Sequence, residues 1–444
     1  MRFNGKQAAL AAGLICGLST AVLADANVEQ IRQELAQLRQ ANTQLQQQVA
    51  SMRSAENTSW LNERRAEEVK ALVREVLADA DTRASLAEGG ITAGYNKGFF
   101  LASEDGKFRL NLSGQIQFRY LASLRNDSGG DDVESGFQLR RTKLRATGHI
   151  GDPRIGFAVV TAYDRNTGAA ALEEVKLTYK ISDKLTFEAG RYKSPFMREE
   201  LTSSSRQLAV ERSYFNEVFT AGFTEGVGLV WNPTDSLRIS GMLNDGFRQG
   251  ETSAAKDFHN DDTDFGAAAR VDYRLAGKWS QQADTSSWKG DDFAAFIGAA
   301  VYYDKSDTGH TNGYNYEVGY TADVMIQNKG LGVFGAVSGY NVDGDDGAAN
   351  FDAWGAMLQV SYMVIPDKFE PFIRGEYMKF NSEDETKLLT AGFNYYLNKH
   401  NAKFTLDAVW AMDAISSQAG LGLLSDAAGQ DNQLAIRGQF QLQF

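Results

Sequence analysis

The chain has 444 residues, with 45 Lys and Arg against 57 Asp and Glu, a net charge of −12, 43 Gly, only 5 Pro and one Cys. The acidic balance argues against nucleic acid as a partner, the lone cysteine excludes an internal disulfide, and a mean hydropathy of −0.36 excludes a helical membrane protein. An aromatic content of 11% with abundant Gly suits many strands and tight turns.

At the amino terminus Arg2 and Lys6 precede an uncharged apolar run from Ala8 to Leu23, and Ala24 and Ala26 supply the small residues of a cleavage site. Residues 1–24 therefore read as a secretory signal peptide, the run being short for a retained span of ~20 residues. Cys16 lies inside it, behind an Ile15 too large for lipoprotein processing. Cleavage removes the cysteine and makes the chain two charges more negative.

Residues 25–88 carry helical periodicity. Val28, Ile31, Leu35, Leu38, Asn42, Leu45, Val49 and Met52 recur at spacings of three and four, a heptad seam with Asn42 as its one polar member. The flanking Gln, Arg, Glu and Ala are good helix formers. A self-associating coiled coil is expected, and the buried Asn fixes register without choosing between two strands and three. A second stripe from about Trp60 to Leu86, with Leu61, Val69, Leu72, Val73, Val76 and Leu77, ends at Gly89 and Gly90.

Beyond Gly90 the period changes to two. From Lys107 to Leu124, the residues Phe108, Leu110, Leu112, Ile116, Phe118 and Tyr120 alternate with Arg109, Asn111, Ser113, Gln115, Gln117 and Arg119. Alternate side chains of a strand point to opposite faces, so one face is apolar and the other charged. The pattern recurs through about sixteen segments, the last running from Asn432 to Phe444. Aromatic residues such as Tyr120, Tyr163, Tyr179, Trp231, Tyr273, Tyr303 and Trp410 gather at segment ends, as interfacial girdles do. Short turns (Gly151–Pro153, Ser182–Asp183, Pro233–Asp235, Pro366–Asp367, Asn398–Lys399) alternate with long loops (Arg125–Ser135, Gly246–Asp262, Asp413–Asp431). An all-β transmembrane barrel of about 16 antiparallel strands over residues 89–444, preceded by the α-helical coiled coil, follows from this asymmetry. Closure leaves no strand edge unpaired in lipid.

The sequence is poor in enzymatic chemistry. His149, His259, His310 and His400 lie far apart with no metal-ligand spacing. The acidic loops around Asp131, Asp262 and Asp345 lack the residue order of a calcium loop. No catalytic residue, metal or cofactor is expected. A barrel of this size encloses water, so transport is the stronger reading. Gly190–Gly228 is the most distinctive stretch: a long charged connection that either folds inward to narrow the lumen or makes surface and subunit contacts.

The closing aromatic strand resembles the carboxy-terminal signature of bacterial outer-membrane barrels. Arg140-Arg141, the run from Gly190-Arg191-Tyr192 to Pro195-Phe196, and Glu211-Arg212-Ser213 are similar to the phosphate-selective porin O and P family. The resemblance implies a trimeric sixteen-stranded pore for anions in the outer membrane, with inward basic residues guiding phosphate. The basic candidates, by strand parity and by position in the charged connection, are Arg109, Arg119, Arg141, Lys143, Arg145, Arg191, Lys193, Arg198, Arg206 and Arg212. Arg matches an oxyanion with planar donors, while Glu174, Glu188, Glu199, Glu200, Glu211, Asp272 and Asp323 are placed to neutralise them. The partners implied are outer-membrane lipid, two further copies of the chain, and small ions or phosphate as cargo; the amino-terminal coiled coil departs from the best-known members of the family, and as a periplasmic stalk it adds the cell wall as an expected partner. An envelope tether is the alternative function, with a barrel enzyme behind it.

Overall fold

The computed structural model describes residues 43–44, 46–47, 90–95, 98–127, 130–247, 263–306, 314–344, 350–381, 385–415, 418–425 and 431–444. The chain divides into two units, Met1–Glu88 and Gly89–Phe444. The expected signal peptide and the expected heptad seam fall outside the described residues.

The strands of the second unit, in order, are β1 (Ile91–Tyr95), β2 (Phe99–Ser103), β3 (Arg109–Asp127), β4 (Gly130–Ile150), β5 (Asp152–Tyr163), β6 (Ala170–Lys180), β7 (Leu185–Lys193), β8 (Phe223–Thr234) and β9 (Leu237–Asn244). After them come β10 (Thr263–Ala276), β11 (Ala294–Ser306), β12 (Tyr314–Asn328), β13 (Leu331–Gly344), β14 (Phe351–Tyr362), β15 (Phe369–Phe380), β16 (Glu385–Asn398), β17 (Ala402–Ala411) and β18 (Gln433–Gln443). From β3 onward each strand pairs antiparallel with the next, and β18 returns to β3 from Leu434 opposite Leu124 to Gln443 opposite Gln115. The result is a closed barrel of sixteen strands. Phe444 completes the seam by exchanging backbone hydrogen bonds with Gly114, at 2.9 and 3.2 Å.

Each of the sixteen alternating segments lies on one of these strands. Phe118, Leu229, Val301, Leu358 and Ile373 stand exposed on the outer face, while Gln115, Gln117 and Arg119 are buried inside. The exposed aromatics form two belts. Tyr179, Trp231, Tyr273, Tyr362 and Tyr395 lie toward the end bearing the short turns; Tyr163, Trp354 and Trp410 lie toward the end bearing the long loops. A lipid-facing band between two interfaces has this form.

Three features differ from the sequence reading. The long loop expected at Arg125–Ser135 is mostly strand, because β3 and β4 keep pairing as far as Asp127 opposite Gly130. Two strands lie outside the alternating pattern: β1 pairs with β2, and β2 pairs with β3 from Phe99 opposite Leu112, just beyond the point where β18 stops. They are too short to show alternation against background. Finally, one connection at the short-turn end is long: residues 277–293 between β10 and β11 carry a helical turn, Trp279–Gln282, and fold inside the wall.

Candidate functional site

The sequence between β7 and β8 cannot continue the sheet, because Pro195 lacks a ladder donor. It forms instead a helical turn α1 (Arg198–Leu201), a 3-10 turn (Ser204–Arg206) and α2 (Tyr214–Phe219). Ser203 and Ser213 cap the last two by accepting from the backbone N–H groups of Ser205 and Asn216. The flanking motifs have a steric basis. Gly190 has φ +121°, and a Cβ there would sit 2.2 Å from the Val175 carbonyl oxygen. Gly228 leaves room for the Tyr192 hydroxyl, which a Cβ would meet at 2.6 Å.

This connection folds into the lumen and is fastened to the wall through its own backbone, near its start to β10 and farther on to β15–β18. Its carbonyls at Phe196, Ser205, Gln207 and Leu208 accept from Arg270 (2.6 Å), Gln441 (3.0 Å), Lys403 (2.6 Å) and Asn394 (2.8 Å). Asp407 and Glu376 accept from the N–H groups of Val210 (2.8 Å) and Phe215 (2.9 Å). Buried backbone groups must be paired, and here wall side chains supply the partners. Of the two placements open to this stretch, the inward one is observed.

Phe196, Phe215 and Phe219 pack with Phe296, Tyr302, Met325, Phe334, Met357 and Met378 in one buried cluster. These wall residues occupy the inward parity of β11–β15. That half of the barrel is therefore a packed core and not water, a point at variance with a uniformly polar inner face.

Glu211 is the electrostatic centre of the loop. It accepts from Arg119 Nη1 (2.6 Å), Arg140 Nε (2.6 Å) and Arg141 Nη2 (2.8 Å), and its side chain is 2% exposed. Burial alone would push its carboxyl up, but the guanidinium groups of Arg140, Arg141 and Arg119 hold it well below the usual carboxylate range. Arg140 is absent from the parity-based candidates. Gln117 lies opposite Arg141 while Phe118 lies opposite Leu139, so Arg140 is the extra residue of a β-bulge, and both arginines reach inward. The doublet Arg140-Arg141 was the available signal. The loop between β17 and β18 covers the same cluster, with the Gly420 and Leu421 carbonyls accepting from Arg119 and Arg437 at 2.9 Å each. Glu199, in α1, is pushed up by burial and accepts from Ser213.

The remaining candidates are spread along the other half of the lumen. Lys143 pairs with Glu173, Arg145 with Glu174 (3.4 Å), and Arg191 with Glu225 (3.7 Å). Lys193 and Arg212 share Glu200 (2.8 and 3.2 Å), and Arg198 meets Asp272 at 3.2 Å. All seven acids expected to neutralise the basic residues do have cationic partners: Lys176 pairs with Glu188, Arg374 with Glu199, and Arg270 with both Asp272 and Asp323. Arg109 stands apart from the loop, near the start of β3, with its guanidinium 4.3 Å from the Phe100 ring centroid. Arg206 is exposed on the 3-10 turn and, among the described residues, its side chain donates to the Ala283 carbonyl at 3.5 Å.

That contact joins the loop to the second inward segment, residues 277–293. Thr285 donates to the Arg206 carbonyl from its hydroxyl, and Gln327 Nε2 donates to the Asp284 carbonyl at 2.6 Å. Asp284 accepts from His400 (2.8 Å), Trp288 Nε1 (3.1 Å) and the Ser286 N–H (3.0 Å). Burial opposes ionisation of Asp284, yet the adjacent His400 and these donors bring it down to about 2.

Two adjoining cavities, of about 440 and 510 Å³, share Arg145, Glu174, Lys193 and Leu201 in their walls. Their walls carry nine Lys and Arg side chains against four carboxylates. No His, Cys, Asp and Glu grouping suited to a metal ion occurs among the described residues.

A family model described as phosphate-selective porin O and P matches residues 110–444. The chain belongs to that family. This porin also has the fold of an anion-selective porin from Comamonas acidovorans, at 15% identity over 76% of this chain and 99% of that one, with a TM-score of 0.54. OprB of Pseudomonas putida matches at 8% identity over 75% and 94% of the two chains, with a TM-score of 0.50. No curated protein matches as a relative. Family and fold together make the chain an outer-membrane porin, a water-filled channel through a β-barrel.

Proposed function

We propose that this porin passes small anions and hydrophilic solutes by passive diffusion, favours anions, and takes inorganic phosphate among them. The carrying observation is the lining of the open half, nine basic side chains against four acidic ones. Such a ring raises the local concentration of anions and lowers that of cations. The anion-selective neighbour of like fold supports the same reading. No turnover chemistry is assigned to the barrel. The short-turn end faces the periplasm in this proposal, the segment before Gly89 forms a periplasmic stalk able to reach the cell wall, and three copies assemble in the membrane.

The zero-current potential of the purified protein in a planar bilayer, across a potassium chloride gradient, tests the central claim. Anion selectivity with block of chloride current by phosphate is expected. A cation-selective pore would refute the anion assignment, and a folded protein with no conductance would refute the open lumen. Light scattering in detergent tests the trimer, and a stable folded monomer would refute it.

A further inference from the structure

We infer that two arginines, Arg206 and Arg238, supply most of the charge bias of the channel, because they alone among the nine basic side chains lining the open cavities have no carboxylate partner within 4.0 Å among the described residues. The inference rests on the anion-favouring reading above and deepens it.

The other seven each sit against a carboxylate oxygen. To a passing ion, a paired cation is one end of a short dipole whose field falls off faster than that of a lone charge. An unpaired cation acts along the pore until salt screens it, over about 8 Å at physiological ionic strength. Basic count alone is therefore a poor guide, and compensation decides which residues matter.

Arg238, on β9, has Asp272 as its cross-strand neighbour. Asp272 is already engaged by Arg198, Arg270 and Gln282. The Arg238 Nε donates to the neutral Asn232 amide oxygen at 3.3 Å, and its guanidinium lies 4.3 Å from the Trp279 ring centroid. Trp279 is fixed in turn by donating Nε1 to the Asp235 carbonyl at 2.9 Å. Stacking fixes the position of the charge without cancelling it. Arg206, on the inward loop, meets a neutral carbonyl, that of Ala283, and no carboxylate among the described residues. Each arginine lines one of the two cavities and adds there a charge with no carboxylate of its own, beside the one positive charge left over where Lys193 and Arg212 share Glu200.

The test is the reversal potential of the full-length protein in a potassium chloride gradient. R206Q and R238Q are each expected to lower the anion-to-cation permeability ratio roughly two- to fivefold, the range for a unit charge about 8 Å from a water-filled axis with and without screening. R206Q/R238Q should lower it by about the product. Restoring charge in R206K/R238K should recover most of the selectivity, which a purely structural role would not do. Removing a compensated pair together, R145Q/E174Q, should shift the ratio by less than either single change. An anion-selective wild type whose ratio survives R206Q/R238Q, or falls as far with R145Q/E174Q, overturns the inference while leaving the anion-selective pore intact. A wild type that is not anion-selective overturns that reading and this inference with it. R206Q, at an exposed position, decides the matter on its own if R238Q fails to assemble.

Discussion

Replacing Glu211 by Gln removes the one carboxylate that three arginines share. The contacts at 2.6, 2.6 and 2.8 Å are buried, so Arg119, Arg140 and Arg141 would be left as three cations facing one another with little water to screen them. Breaking a buried ion pair by removing one partner costs about 3–5 kcal/mol. Because the loop can relieve this strain by leaving the wall, the closed-to-open equilibrium of the loop should shift by roughly two to three and a half orders of magnitude. Single-channel recording of E211Q should show flicker to larger conductance, and trypsin should cut after Arg206 faster than in wild type. The sign with pH follows from the depressed carboxyl. Its stabilisation is fully present above the ordinary Glu value of about 4.3 and is lost as pH falls through the lower folded value. The loosening that comes from Glu211 should therefore appear in wild type only in acid below the ordinary Glu value, whereas E211Q should be loose throughout. Unchanged dwell times and cleavage rates in E211Q would refute the role given to this cluster.

Two further changes probe the supports of the site. Gly190→Ala places a Cβ 2.2 Å from the Val175 carbonyl oxygen at φ +121°, so β6 and β7 must separate; a loss of about 2–4 kcal/mol is expected, read as a smaller heat-modifiable folded fraction on gels, and wild-type folding would refute it. Asp284→Asn weakens the acceptor for His400, Trp288 and the Ser286 N–H, costing about 1–3 kcal/mol, so the amides of residues 277–293 should exchange faster at pH 7. In wild type this contribution is present above the usual Asp value of about 3.9 and is lost as pH falls through about 2; burial lowers the His400 imidazole below its ordinary value, so as it takes up a proton beside Asp284 below neutral pH, exchange protection relative to D284N should rise and not fall between pH 7 and 4. Equal protection in the two proteins at pH 7 would count against the latch.

The barrel could be read in the sequence because membrane strands leave a regular trace. Residues such as Phe118 and Leu358 face lipid, residues such as Gln117 and Gln359 face inward, and the period of two repeats sixteen times between turn residues. The inward loop was visible only as an unusually charged connection with Pro195 and capping serines. Residues 277–293 left a weaker trace, Trp279 and Trp288 in a stretch where a two-residue turn belonged. The inward-parity Phe296, Met325, Phe334, Met357 and Met378 also gave a clue: apolar residues on a face meant for water imply something packed against it.

By itself the sequence determined the closed barrel, its strand count and the family, because each depends on local alternation and on short motifs near Gly190 and Arg140. Which basic residues pair, which face water and which half of the lumen is filled were decided only in three dimensions. A charge is neutralised by carboxylates from other strands and loops, as Glu211 reaches Arg119 from the β7–β8 connection and Asp407 reaches Arg437 across the β17–β18 pair. A single bulge turns Arg140 inward against the parity of its strand. Coulomb attraction acts over a few ångströms of space and takes no account of separation along the chain, so no local pattern can encode it.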